Sequence, residues 1–215
     1  PLESPGSDTM AIIGDSLFAF NVSAITPDSN NRMKTMTYAD GRIFVSTNVG
    51  FNNRFLLYEI ANDGSTLLDL DTLYSISSGW RTMTSDGQLI YAVEQYVIYA
   101  YDPNGDTIVD WFPRPNFSPD GIAYDPQMEH FYLGNGVGAI MQIDKNGDEL
   151  NFYVVPYEIE GLSWDNRSPG GPYLWAYYSD EETPGVIRAI RLDPETGGTT
   201  GVAFEGLNLS GDPEQ

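Results

Sequence analysis

With 215 residues and 41% hydrophobic side chains, the chain is long enough for one large domain and apolar enough to bury a core. Thirty-one acidic residues against ten basic ones leave a net charge of −21, a field that repels phosphate backbones, so no nucleic acid is expected as partner. Cysteine is absent, which excludes disulfides, thiolate metal sites and thiol nucleophiles, and no apolar run reaches the length of a membrane-spanning helix, so no membrane insertion is expected.

The chain opens with Pro1-Leu2-Glu3-Ser4-Pro5 and no initiator Met, which predicts a processed or excised piece. Met10-Ala11-Ile12-Ile13 and Leu17-Phe18-Ala19-Phe20-Asn21 then align with Tyr91-Ala92-Val93 and Ile98-Tyr99-Ala100-Tyr101-Asp102. Residues 1–30 are therefore expected to form a partial repeat, entered at its second strand. Gly14-Asp15-Ser16-Leu17 in this stretch spells the block of GDSL-type esterases. Those enzymes need an α/β fold and a late Asp-x-x-His, whereas the one histidine here, His130, follows Gln127 at that spacing. The block is read as fortuitous and His130 as a residue flanking a strand.

Four full repeats follow, expected over 31–75, 76–115, 116–155 and 156–205. Each reads strand, turn, strand, loop, strand, turn, strand. Thr37-Tyr38-Ala39-Asp40-Gly41-Arg42-Ile43-Phe44-Val45 matches Thr84-Ser85-Asp86-Gly87-Gln88-Leu89-Ile90-Tyr91-Ala92. Gly121-Ile122-Ala123-Tyr124-Asp125 matches Gly161-Leu162-Ser163-Trp164-Asp165. Asp40-Gly41 and Asp86-Gly87 predict turns after the first strand; Asp63-Gly64, Asn104-Gly105 and Asn146-Gly147 predict turns after the third. The equivalent positions Ala61, Asp102, Asp144 and Asp193 are spaced by 41, 42 and 49 residues, the last with two insertions. A period of about 40–45 with four strands per unit is that of propeller blades.

The expected fold is all-β: a β-propeller of four-stranded antiparallel blades, about four full ones plus a partial one. Residues 206–215 are polar and too short for another blade. Either this tail supplies the missing first strand and closes a five-bladed ring, or the chain is a fragment of a six-bladed propeller whose remaining strands come from a partner segment or another chain. An open ring would leave unpaired strand edges.

Gly161-Leu162-Ser163-Trp164-Asp165-Asn166-Arg167-Ser168-Pro169-Gly170-Gly171-Pro172-Tyr173-Leu174-Trp175 resembles propellers of secreted multidomain proteins from Bacteroidota-like bacteria, of the type found among type IX secretion substrates. Gly121 to Pro126 and the Asp144-Lys145-Asn146-Gly147 turn fit the same pattern. The resemblance covers roughly residues 35 to 205. It implies an extracellular or cell-surface location in a bacterium, and binding or adhesion in place of a reaction. More distantly, Pro119-Asp120-Gly121-Ile122-Ala123 looks like a blade entry in NHL-type and gluconolactonase-like propellers. The latter hold a divalent metal in the channel, and no full ligand set can be matched here.

Loops entering the first strand, or joining the second to the third, form the face at which propellers meet ligands, because rigid blades position them. On them Trp80, Arg81, Glu94, Asp120, Asn135, Glu160 and Asp180 are the candidate ligand-binding residues. Trp80 beside Arg81 suits stacking on a sugar ring or a peptide. Asp120 and Glu160 occupy nearly equivalent positions in successive blades and suit a channel cation. Asp102-Pro103-Asn104-Gly105-Asp106 and Asp144-Lys145-Asn146-Gly147-Asp148 resemble the start of oxygen-ligand Ca²⁺ loops but fall where hairpin turns are required. No catalytic set is present and no cofactor is expected, Ca²⁺ being the one candidate ion. The expected function is a secreted or cell-surface binding, adhesion or assembly module for a protein or glycan ligand. The alternative is a metal-dependent hydrolase or lactonase working at the channel mouth with Asp120 and Glu160.

Overall fold

Among the described residues, each strand within a blade pairs with the next in sequence, so each blade is a meander. The computed structural model describes residues 32–48, 54–62, 66–74, 80–167, 169–179 and 186–208. Blade 1 is β1 (Arg32–Ala39), β2 (Arg42–Asn48), β3 (Arg54–Ala61) and β4 (Leu67–Tyr74). Blade 2 is β5 (Thr82–Ser85), β6 (Ile90–Glu94), β7 (Val97–Asp102) and β8 (Thr107–Pro113). Blade 3 is β9 (Gly121–Asp125), β10 (His130–Gly134), β11 (Ala139–Ile143) and β12 (Glu149–Val154). Blade 4 is β13 (Gly161–Asp165), β14 (Tyr173–Ser179), β15 (Val186–Leu192) and β16 (Thr199–Asn208). Each is a four-stranded antiparallel sheet in sequence order, and no helix occurs among the described residues. The first strands pack side by side in the order β1, β5, β9, β13. This is a β-propeller whose first strands line the channel. The partial repeat expected at 1–30, the Gly14-Asp15-Ser16-Leu17 block and the tail from 209 onward lie outside the described residues, and with them the question of closure.

Blades stack because the second strand of each is apolar on both faces. Ile90 and Ala92 point into a core shared with Phe44 and Leu57 of blade 1. Tyr91 and Val93, their neighbours in sequence, point into the core shared with Phe131 and Leu133 of blade 3. Tyr132 of β10 faces the other way, into the core formed with Leu174 and Ala176 of blade 4. The period of two in side-chain direction sends alternate residues to opposite blades. Strands buried on both sides read as continuous apolar runs. Phe131 is fully buried, with Tyr91, Tyr124 and Phe112 ring centres at 4.8, 4.9 and 5.3 Å. The fourth strands form the blades' outer edges and are accordingly exposed, Trp111 at 60% and Val154 at 79%.

The turns after the first and third strands lie at one end, and aspartates cap most of those described; the Asp63-Gly64 turn expected in blade 1 lies outside the described residues. Asp40 and Gly41 make a two-residue turn between Ala39 and Arg42, with φ of 45° and 78°, as a type I′ hairpin requires. Between β5 and β6 the loop is longer: Asp86 Oδ1 accepts from the amides of Gln88 and Leu89 at 2.9 and 2.8 Å. Asp125 and Asp165 accept from Gln127 and Arg167 in the same place in blades 3 and 4. After the third strands, Asp102, Asp144 and Asp193 accept from the amide two residues on. A short carboxylate that bonds its own downstream amide is a turn device. The two segments resembling Ca²⁺ loops are these turns. Asp144, which also accepts from Asp148 N at 3.0 Å, is held below the usual carboxylate range by its backbone hydrogen bonds, that of Asp148 first.

One contact ties blade 1 to blade 2 less comfortably. The Tyr101 hydroxyl lies 2.7 Å from Asp106 Oδ1 and 3.2 Å from Asp71 Oδ2. One phenolic proton serves two carboxylates. Asp71 is pushed above the ordinary Asp value, by burial first and by the charge of Asp106 second. A carboxyl raised in the folded state contributes its full stability below the ordinary Asp range and loses it as pH rises through the raised native value. Asp71→Asn keeps an acceptor for Tyr101 without the charge. It is expected to raise Tm at pH 7 by about 1–2 °C, with the gain fading as pH falls through the carboxylate range. Thermal melts of both proteins from pH 3 to 8 check this; a gain independent of pH would contradict it.

Candidate functional site: the charged mouth of the channel

At the end of the channel opposite the Asp-capped turns, the residue before the first strand of blades 2, 3 and 4 is held by the same backbone bond. Arg81 N donates to Val93 O (2.9 Å), Asp120 N to Gly134 O (2.8 Å) and Glu160 N to Tyr177 O (2.8 Å). The partners are equivalent: Thr82 pairs with Val93, Gly121 with Gly134 and Gly161 with Tyr177. In blade 1 the corresponding pair is Thr35 with Ser46, and Lys34, at a register shift in β1, stands in the equivalent position. One structural position thus carries Lys34, Arg81, Asp120 and Glu160 in four successive blades. All four line a cavity of about 540 Å³, together with Gly136, Glu158 and Ile159.

The inner strands set how closely these side chains approach. Between β1 and β5 the Thr35 hydroxyl accepts from Met83 N at 3.0 Å. Between β9 and β13 two glycines replace the threonines. A Cβ on Gly121 would stand 2.7 Å from the backbone of Gly161 and Leu162. That approach is open only to glycine, and it brings the two acidic positions together.

The centre of the arc is tied down. Arg81 donates from Nη2 to Asp120 Oδ1 at 3.0 Å and from Nη1 to Ser118 Oγ at 2.9 Å. Asp120 Oδ2 accepts from Gly136 N at 3.1 Å. The pair is 46% and 39% exposed, so its worth is in position more than in stability. Asn135 shapes the adjoining loop: its Oδ1 accepts from Val137 N and Ala139 N, and its carbonyl from Gly138 N and Ile159 N. Beside Arg81 lies Arg114, pushed below its ordinary value by burial and then by the Arg81 charge. Arg81, Arg114 and Glu94 line a smaller adjoining cavity of about 210 Å³.

Of the seven candidate residues, Arg81, Asp120 and Glu160 converge on the mouth, and Asn135 supports it from the loop. Trp80 does not face it. The indole is 2% exposed in the core between blades 1 and 2, edge-on to Tyr101 at 5.5 Å, so its ring is packed and not presented for stacking on a ligand. Glu94 is likewise buried, at 1%. Asp180 lies outside the described residues. His130 opens β10, its Nδ1 3.0 Å from Gln142 Nε2. Lys34 was not among the candidates. The signal was available: Arg81 precedes Thr84 by three, and Lys34 precedes the matching Thr37 by three.

Among the described residues no three carboxylate or imidazole groups come together in a way that could hold a metal ion. The channel's other end opens into a cavity of about 590 Å³, walled in part by Met36, Tyr38, Tyr124 and Trp164. Its walls are largely bulky, and it lacks the mouth's ring of opposed charges.

No family model and no curated protein matches the chain. Solved structures do, at low identity. The Pan2 WD40 domain of Neurospora crassa aligns at 11% identity and a TM-score of 0.54, over 81% of this chain and 50% of that one. The glutaminyl cyclase of Myxococcus xanthus aligns at 15% and 0.60, over 79% and 69%. A protein of unknown function from Bacteroides caccae aligns at 12% and 0.56, over 82% and 62%. The chain therefore spans from half to about two thirds of these structures.

Gly121→Ala is expected to cost about 1–3 kcal/mol by forcing β9 from β13, read as a lower urea midpoint with unchanged m-value. A variant as stable as the parent would contradict the packing that builds the mouth. What the likenesses show is the fold: the chain is similar to β-propellers of diverse function, and the likeness carries no activity with it.

Proposed function

We propose that the protein is a binding module that takes its ligand at the charged mouth, and that it works outside the cell or on a bacterial surface. The single observation that carries this reading is the convergence of Lys34, Arg81, Asp120 and Glu160 on one cavity from equivalent positions in four blades. Side chains held at the rim of a rigid scaffold, with the central pair already fixed, are preorganised for recognition. The extracellular location is supported by the resemblance of the Gly161–Trp175 stretch to secreted propellers. The ligand class is one that carries charge: a protein or peptide, its amino-acid units, or a glycan.

The second reading is a metal-dependent hydrolase. It is favoured by Asp120 and Glu160 sharing a position and a cavity. It is weakened because both oxygens of Asp120 are already engaged, by Arg81 and by Gly136. A carboxylate that must ligate a metal would have to give up that cation.

Immobilised panels of charged glycans and peptides, probed with the protein and with Lys34→Glu, decide between a mouth site and none. Ligands retained by the parent and weakened at least about tenfold in the variant are expected. Binding that Lys34→Glu leaves unchanged would place the site elsewhere and overturn the reading. A Tm shift in Ca²⁺ or Zn²⁺ that disappears in Glu160→Gln would instead support the metal enzyme.

A further inference from the structure

Equivalent blade positions make the mouth an ordered series of charges and not a mixture. Blades 1 and 2 contribute the cations, Lys34 and Arg81; blades 3 and 4 contribute the anions, Asp120 and Glu160. Glu158 adds a second carboxylate on the anionic side, and Arg114 stands behind Arg81 on the cationic side. The two middle members neutralise one another at 3.0 Å, and each is fixed by a further bond, to Ser118 and to Gly136. The charges at the two ends of the arc are opposite. The cavity between them is therefore polarised, positive on one flank and negative on the other.

We propose that this mouth selects a zwitterion, a free α-amino acid or a short peptide with both termini charged. Its carboxylate meets Lys34 and the N–H groups of Arg81 that Asp120 and Ser118 do not use, and its ammonium meets Glu158 and Glu160. This rests on the reading of the mouth as the ligand site. A ligand of one sign satisfies one flank and brings its charge towards the repelling flank; a neutral ligand displaces water from both without replacing it. A dipolar ligand aligned with the series satisfies both, and electrostatic complementarity of this kind decides specificity. The chain's net charge of −21 repels anions at long range, so a ligand with no net charge also approaches without penalty. Three of the ten basic residues, Lys34, Arg81 and Arg114, gather on the cationic flank in a chain that has few.

The test is titration calorimetry on the whole chain with the dipeptide Ala-Ala, its N-acetylated form and its C-terminal amide. Ala-Ala is expected to bind, and each blocked form to bind at least about tenfold more weakly, the scale of one charged contact. Lys34→Gln should weaken Ala-Ala and leave the amide unchanged. Glu160→Gln should weaken Ala-Ala and leave the acetylated form unchanged. Melting curves of both variants establish that they are folded. No heat from Ala-Ala at about 10 mM, or equal binding of all three forms, would overturn the proposal. If an acidic oligosaccharide binds and loses affinity in Lys34→Gln while Ala-Ala does not bind, the mouth is a site but its ligand is not a zwitterion. If neither variant changes the binding of any probe, the mouth itself is wrong.

Discussion

Two neighbouring residues on the second strand of each blade are drawn in opposite directions, and the rest of the molecule depends on that. Ile90 enters the core with blade 1 and Tyr91 the core with blade 3. Phe131 and Tyr132 divide in the same way between blades 2 and 4. A slip of one residue would exchange every such pair, so burial on both faces fixes the register without help from the turns. The register in turn fixes which residue stands at the mouth end of each blade's first strand. Lys34, Arg81, Asp120 and Glu160 reach the mouth at one height because their blades are packed in one phase.

The same architecture sorts the charge. Turns after the first and third strands share one end of the propeller, and there aspartate caps turn after turn. Part of the acidity is thus local turn chemistry, a carboxylate closing a ring onto its own downstream amide. The opposite end has no such demand. Its loops are free to carry both signs, and they do.

The repeat, the four-stranded units and the turn residues were legible in the sequence because each rests on local chemistry: periodicity of two, Asp-Gly and Asn-Gly pairs, and apolar runs. The mouth was legible in part. Arg81, Asp120 and Glu160 follow from alignment to the first strand. Lys34 follows from the same alignment, three residues before Thr37 as Arg81 is before Thr84, but it lies within β1 and not in a loop that enters it. Trp80, in the segment before β5, and Glu94, which ends β6, were expected on exposed loops, yet both are buried. Whether a loop side chain turns to solvent or into the seam between blades depends on the neighbouring blade, and no local pattern encodes that.

These observations meet in one proposal, that the charged mouth held by the two-faced second strands at one end of the channel binds a ligand. Backbone amide shifts followed by NMR during titration with Ala-Ala test it most directly. The account predicts that the shifts concentrate on Lys34, Arg81, Asp120, Gly136 and Glu160, residues far apart in sequence that share one cavity. Shifts gathered instead at Tyr38, Asp86, Tyr124 and Trp164, around the opposite opening, would contradict it.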